Sequence, residues 1–259
     1  MDRLVAISAL FGMLLTGCDT TVQPPPPPSP PDTLAVHTVL HTGRSAQRAL
    51  VSRPLPVDVG DEREDIQHVQ DATVRIGGRL LHVLPPDSTA NYNGADLLGR
   101  GANYKADSFD VASGETYDLQ VTRNERAITG TVRVPGSFAV AVDSMTVQWT
   151  QSSGAAEYAL QVRRYDEEGE LQYLNVSPIR TRRQRVSLDT SQFSDPFQPG
   201  PHVLAVIAAD SNLTRYRQDA VQQSGLEGGL GVFGAVTVVR DTVSLPATAK
   251  TSAGLPVDF

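Results

Sequence analysis

The sequence predicts an all-β protein of two tandem β-sandwich domains that follow a leader and a proline-rich tether. Three observations predict it. From Thr33 onward apolar residues recur with period two in short runs, the alternation of half-buried strands. Those runs are broken by Gly, Pro, Asn and Asp, which favour turns over helix interiors. Pro135-Gly136 then divides the strands into two sets, each about 100 residues long and so large enough for a domain of its own.

The first domain is expected over residues 33–134. Leu34 to Leu40 opens it, and Val69 to Ile76 follows with Val74 and Ile76 on one face and Thr73 and Arg75 on the other. Gly77-Gly78 is a two-residue turn signal, which makes Arg79 to Leu84 the returning strand of a hairpin. Thr116 to Val121 aligns Tyr117, Leu119 and Val121, and Ile128 to Val134 aligns Ile128, Val132 and Val134 across the turn Arg123-Asn124-Glu125. A long mobile loop is expected from Pro85 to Ala106.

The second domain is expected over residues 135–241, with a tail over 242–259. Val140 and Val142, then Met145, Val147 and Trp149, form two inward sets around the Asp143-Ser144 turn. Tyr158, Leu160 and Val162 make the next face, and Asp166-Glu167-Glu168-Gly169 turns into Leu171 to Leu174. Arg185 to Leu188 follows, then His202 to Asp210 with Leu204, Val206 and Ala208 inward, and Val232 to Val239 closes the domain. Residues 211–230 are an insertion before that last strand. Asn212 can cap a short helix there, carrying Leu213, Tyr216, Ala220 and Val221 toward the sandwich. The insertion reads in two ways: as a binding loop displaying Arg215, Tyr216 and Arg217 on a rigid scaffold, or as cover for a sheet edge or a dock between domains. The hydrophobic contacts favour the second.

This half resembles a fibronectin type III domain, on Trp149, on Tyr158-Ala159-Leu160-Gln161-Val162, and on Gly200 through Ala208. The resemblance implies a core tryptophan. His202 stands where that family usually carries a tyrosine, and it is expected as a half-buried strand residue.

The N-terminus carries an address. Leu4 to Leu15 is apolar and too short to span a bilayer, for which roughly 20 residues are needed, and Leu15-Thr16-Gly17-Cys18 follows it. A short apolar core ending in small residues is a cleaved leader, and small residues before a cysteine resemble a bacterial lipoprotein signal. Residues 1–17 are thus expected as the signal peptide, with Cys18 taking the lipid and binding the membrane. Residues 18–32 form a tether whose prolines, Pro24 to Pro28 and then Pro30 and Pro31, favour polyproline II at about 3.1 Å per residue.

Composition excludes much. The net charge of −7 argues against nucleic acid, which wants a basic face. With the single cysteine given to lipid, no thiol is left for disulfides, redox chemistry or metal. No zinc-protease, nucleophile-elbow or phosphate-loop motif occurs, so catalytic residues, metal ligands and cofactors are all expected as none. The five histidines, His37, His41, His68, His82 and His202, lack chelating spacing; His37 and His41 would share a strand face about 13 Å apart. Surface exposure is expected for all but the half-buried His202. Asp61 to Asp65 reads as a charged loop. Asp210-Ser211-Asn212-Leu213-Thr214 begins like a calcium loop, but Arg215 stands where that loop needs glycine and Val221 where it needs glutamate.

The whole chain resembles a family of outer-envelope lipoproteins from Bacteroidota-type bacteria, known as a domain of unknown function. The residues that carry this are the leader motif, Val69-Gln70-Asp71-Ala72-Thr73-Val74, Gly114-Glu115-Thr116-Tyr117 and, most specifically, Glu227-Gly228-Gly229-Leu230-Gly231-Val232-Phe233-Gly234. The resemblance implies an Ig-like domain followed by a fibronectin-like one, often encoded near outer-membrane receptors. It brings no catalytic residues. The expectation is a non-catalytic lipid-anchored binding module of the outer membrane with an envelope protein as partner. One alternative is a glycan binder, for which Tyr92, Tyr104 and Tyr216 are the loop aromatics; another is a hydrolase with a site in a cleft between the domains.

Overall fold

The computed structural model describes residues 33–54, 67–85, 101–143, 145–165, 171–174, 179–188, 200–219 and 221–245. The leader, Cys18, the tether, the acidic run Asp61 to Asp65, the Asp166 to Gly169 turn and Tyr92 lie outside them.

The fold is all-β, as the alternation predicts. In the first half the strands are β1 (Ala35–His41), β2 (Gln47–Ser52), β3 (Thr73–Ile76), β4 (Arg79–Val83), β5 (Tyr104–Ala106), β6 (Thr116–Arg123) and β7 (Arg126–Arg133). Gly77 and Gly78 both take positive φ, 54° and 78°, the backbone of a type I′ hairpin turn, and Ile76 accordingly pairs with Arg79. The second half holds β8 (Val140–Asp143), β9 (Thr146–Trp149), β10 (Glu157–Tyr165), β11 (Leu171–Leu174), β12 (Ile179–Thr181), β13 (Arg185–Ser187) and β14 (Gly200–Ala209). Then come α1 (Ser211–Gln218), β15 (Gln223–Ser224), β16 (Leu226–Glu227) and β17 (Leu230–Leu245).

Strand β17 organises the molecule. Its 16 residues extend about 50 Å, whereas the sequence led us to expect a closing strand of Val232 to Val239. Residues 230–236 pair in parallel with β1, and residues 236–245 pair antiparallel with β14 on the opposite edge. Phe233 and Ala235 enter a first core with Val36, Leu40, Val51, Ile76, Leu119, Val121 and Val132. Leu245 enters a second core with Trp149, Tyr158, Leu160, Val186, Leu188 and Leu204. The first core therefore is not built from residues 33–134 alone, and four residues beyond position 241 are strand. Alternation reveals which face of a strand is buried, not which neighbour it pairs with, so a strand shared by two cores is invisible to it.

The second core lies between the sheet β10–β14–β17 and the three-stranded sheet β13–β9–β8. Trp149 is buried there against the Tyr158 ring, centroids 5.4 Å apart. A third cluster covers the other face of the shared sheet: Val39, Ala159, Ile207, Ala209 and Val236 beneath Leu213 of α1.

Two expectations are corrected. The loop expected over Pro85 to Ala106 ends in β5, where Tyr104 is wholly buried and its hydroxyl accepts the Ala72 N–H at 3.1 Å. Beside it Asn103, also wholly buried, accepts the Val51 N–H and donates to the carbonyls of Val51 and Val69, each at 2.8 Å. Its amide adds to the backbone bonds that already join β2 to residues 67–69, and this fixes residues 103–106 there; residues 86–100 of the expected loop lie outside the described ones. The histidines are also not all at the surface: His37, His41 and His202 are buried, while His68 is half-buried and His82 exposed. On β1 and β14 both sheet faces are covered, so period-two reasoning wrongly assigned one face to water.

Candidate functional site

The residues with the richest polar geometry sit where α1 crosses the shared sheet. Asp210 directly follows β14 and caps the helix. Its carboxylate accepts the N–H groups of Asn212 at 3.0 Å and Leu213 at 3.1 Å, and Oδ1 also accepts the Ala235 N–H at 3.0 Å. Asp210, rather than Asn212, is thus the N-cap. Burial pushes its carboxyl up, against the pull of those three N–H groups. Freed from capping, the Asn212 side chain turns the other way: its Nδ2 donates to Phe233 O at 3.1 Å and to Thr131 O at 3.3 Å, fastening β7 to β17.

The three residues expected to display a binding surface meet different fates. Arg215 faces solvent, its side chain 67% exposed, in a loose ion pair with Asp219 at 3.9 Å. Tyr216 is half-buried, and its hydroxyl meets His37 Nε2 at 2.8 Å with the rings edge to face. Arg217 lies under the helix, donating to Glu157 at 2.7 Å with side-chain exposures of 11% and 5%. Gln218 takes the other Glu157 oxygen at 2.9 Å. The structure therefore brings Tyr216 and Arg217 together with β1 and β10 and leaves Arg215 alone outward.

The rest of the insertion docks on the first sandwich. Leu226 and Glu227 pair with Gly130 and Thr129 of β7, and Gln223 and Ser224 pair with β17. Gly231 takes φ 103°, and a Cβ there would overlap the Val36 carbonyl oxygen; only glycine lets β17 come this close to β1. The docking reading of residues 211–230 explains these contacts.

Beside this seam runs an open groove of about 530 Å³ with a mixed polar and apolar lining. Asp118 and Gln120 of β6, Thr129 and Thr131 of β7, and Glu227 line it, and Thr131 Oγ1 donates to Asp118 at 2.8 Å. Sequence reading missed the groove because its residues are ordinary solvent-side positions of two strands, united only by the arrival of β16. It can offer carboxylate and hydroxyl partners to a polar ligand.

The buried histidines show no chelating geometry. Desolvation, with Arg44 and Arg240 nearby, holds His41 down to about 3, so it stays neutral at any ordinary pH. His202 Nδ1 lies 2.9 Å from Gly200 O, and burial lowers its pKa too. Among the described residues no three His, Cys, Asp or Glu side chains come together as a metal site. Among the same residues no helix is long and apolar enough to cross a membrane.

The chain belongs to the DUF4249 family, a domain of unknown function, whose family model matches residues 19–225. Among curated proteins none matches it.

Proposed function

We propose that this chain is a lipid-anchored, non-catalytic binding protein of the outer membrane, with an envelope protein as its partner and a receptor as the foremost candidate. The observation that carries the reading is Leu15-Thr16-Gly17-Cys18 ahead of the proline run. The family match begins at residue 19, immediately past that cysteine, which supports a mature protein starting at Cys18. Two or three acyl chains, at about 0.8 kcal/mol for each buried methylene, hold such a protein on a bilayer for long times. The body is suited to presenting surfaces, because β17 serves both cores and makes one platform of them.

We read the halves as Ig-like and fibronectin type III-like. The second label is supported by the buried Trp149–Tyr158 pair and by a sheet that faces three strands. Metabolic labelling with a palmitate analogue tests the anchor: label is expected on the native chain and lost in Cys18→Ser, and an unlabelled native chain refutes it. Cross-linking in intact envelopes, then mass spectrometry, tests the partner. A reproducible envelope protein supports the reading, and its absence counts against it.

The glycan alternative keeps one observation in its favour, the groove of Asp118, Gln120, Thr129, Thr131 and Glu227, although Tyr104 is buried and so no part of an aromatic platform. A glycan array signal lost in Asp118→Ala would select it.

A further inference from the structure

We propose that the arginine-rich rim at the β12–β13 turn is a second membrane contact, docking anionic lipid headgroups beneath the tethered body. Arg180, Arg182, Arg183 and Arg185 fall within six positions of a chain whose net charge is −7, and all four are exposed. No carboxylate pairs with any of them among the described residues. Ordinary surface arginines in an acidic protein have acids to pair with; among the described residues this cluster has none.

The turn is held rather than loose. Arg183 N–H donates to Thr181 Oγ1 at 2.9 Å, and Gln184 Nε2 reaches Arg182 O at 3.4 Å. Gln184 O in turn accepts the Trp149 N–H at 3.0 Å, anchoring the turn to the second core. The backbone that carries the guanidinium groups is therefore ordered before any contact is made. Burial, and after it the charge of nearby Arg180, lowers the affinity of Arg217 for a proton.

The shape selects the occupant. Arg180 pairs across from Ala159 on one sheet and Arg185 from Gln148 on the facing sheet, with Arg182 and Arg183 at the edge that joins them. Arg180 stands with Ala159 on the face toward α1 and Arg185 with Gln148 on the outer face of the other sheet, so the cations are spread around the edge and do not converge on one small anion. They suit a broad anionic plane, which guanidinium groups meet with paired N–H donors on phosphate. The lipid surface also has support in the proposed anchor at Cys18, on which its relevance in the cell rests. Basic clusters beside an acyl anchor supply the second of two membrane signals, and here the second would set orientation.

The test uses the chain from residue 18 with Cys18→Ser, which keeps every described residue and has no lipid. It is floated with phosphatidylcholine vesicles and with vesicles containing roughly one third phosphatidylglycerol. Binding to the anionic vesicles alone is expected, fading as salt rises toward ~0.5 M. Arg182→Glu with Arg183→Glu should weaken it roughly tenfold or more while leaving Trp149 fluorescence unchanged. Equal partition to both vesicles, no binding to either, or an undiminished double variant each overturns the proposal. Capture on polyglutamate with no vesicle binding also overturns it, in favour of an acidic protein partner. Because acylation is read separately by palmitate labelling of the native chain, a failed rim leaves the anchor standing, and a failed anchor leaves this binding measurable.

Discussion

Asp210 Oδ1 accepts the backbone N–H of Ala235 at 3.0 Å while the same carboxylate caps α1. It does so where the edge of β17 passes from β15, paired at Gly231 and Val232, to β14, paired from Val236. A side chain thus fills the gap between two strand partners, and the helix start, the end of β14 and the middle of β17 share one anion.

That carboxylate gives a pH signature. Burial raises its folded-state pKa above the ordinary value of 3.8, so the folded chain binds the proton more firmly than the unfolded one. Stability from this group is fully present below the unfolded pKa and falls as pH rises through the raised folded value. Asp210→Asn lacks this loss. It carries instead a constant cost on the order of 1 kcal/mol, since an amide nitrogen cannot accept the Asn212 N–H. Urea midpoints from acid to neutral pH should show the stability gap between native chain and variant narrowing as pH rises; a gap independent of pH contradicts the assignment.

Asn103→Ala should destabilise the first sandwich by roughly 2–3 kcal/mol. It removes three bonds and leaves the Val51 N–H and the carbonyls of Val51 and Val69 buried without this partner. Asn103→Asp should do no better, because a carboxylate cannot donate to either carbonyl. Chemical denaturation followed by circular dichroism measures both.

Where the sequence was legible, one strand face was apolar and the turn chemistry was local. Gly77-Gly78, the Leu119–Val121 and Ile128–Val132 faces, and the burial of Trp149 were all readable. What stayed hidden depended on partners distant in sequence. β17 reads as one apolar run, and nothing local says that it serves two cores. His37 and His41 look solvent-side until α1 and the neighbouring strands cover that face, and Asn103 looks like a loop residue until its amide meets two strands. The insertion was legible as a helix with an N-cap, but Asp210 and Asn212 sit two residues apart and both are good caps. The competing bonds to Ala235 and Phe233 decide between them.

Gly231→Ala should test whether the halves unfold as one. The substitution forces a side chain into φ 103° against Val36, with strain of about 1–3 kcal/mol before the steric overlap is added. The lesion lies in the first sandwich, whereas the lone tryptophan, Trp149, reports the second core. If β17 couples the cores, the fluorescence midpoint falls together with the circular dichroism midpoint. An unmoved fluorescence transition behind an earlier loss of ellipticity would mean the cores melt independently.

Glu157→Gln should be costly for the opposite reason, a charge left behind. Arg217 and Glu157 are 11% and 5% exposed in their side chains and lie 2.7 Å apart. Removing one partner of a buried pair typically costs about 3–5 kcal/mol, because the survivor keeps its desolvation penalty without its counter-charge. Replacing both, as Glu157→Leu with Arg217→Met, should recover most of that loss, since an apolar pair of similar volume needs no counter-charge. Denaturation midpoints of the two variants decide it. If the double variant is as unstable as the single one, then the Gln218 bond to Glu157 and the fit beneath α1, rather than the charge pair, hold the helix on the shared sheet.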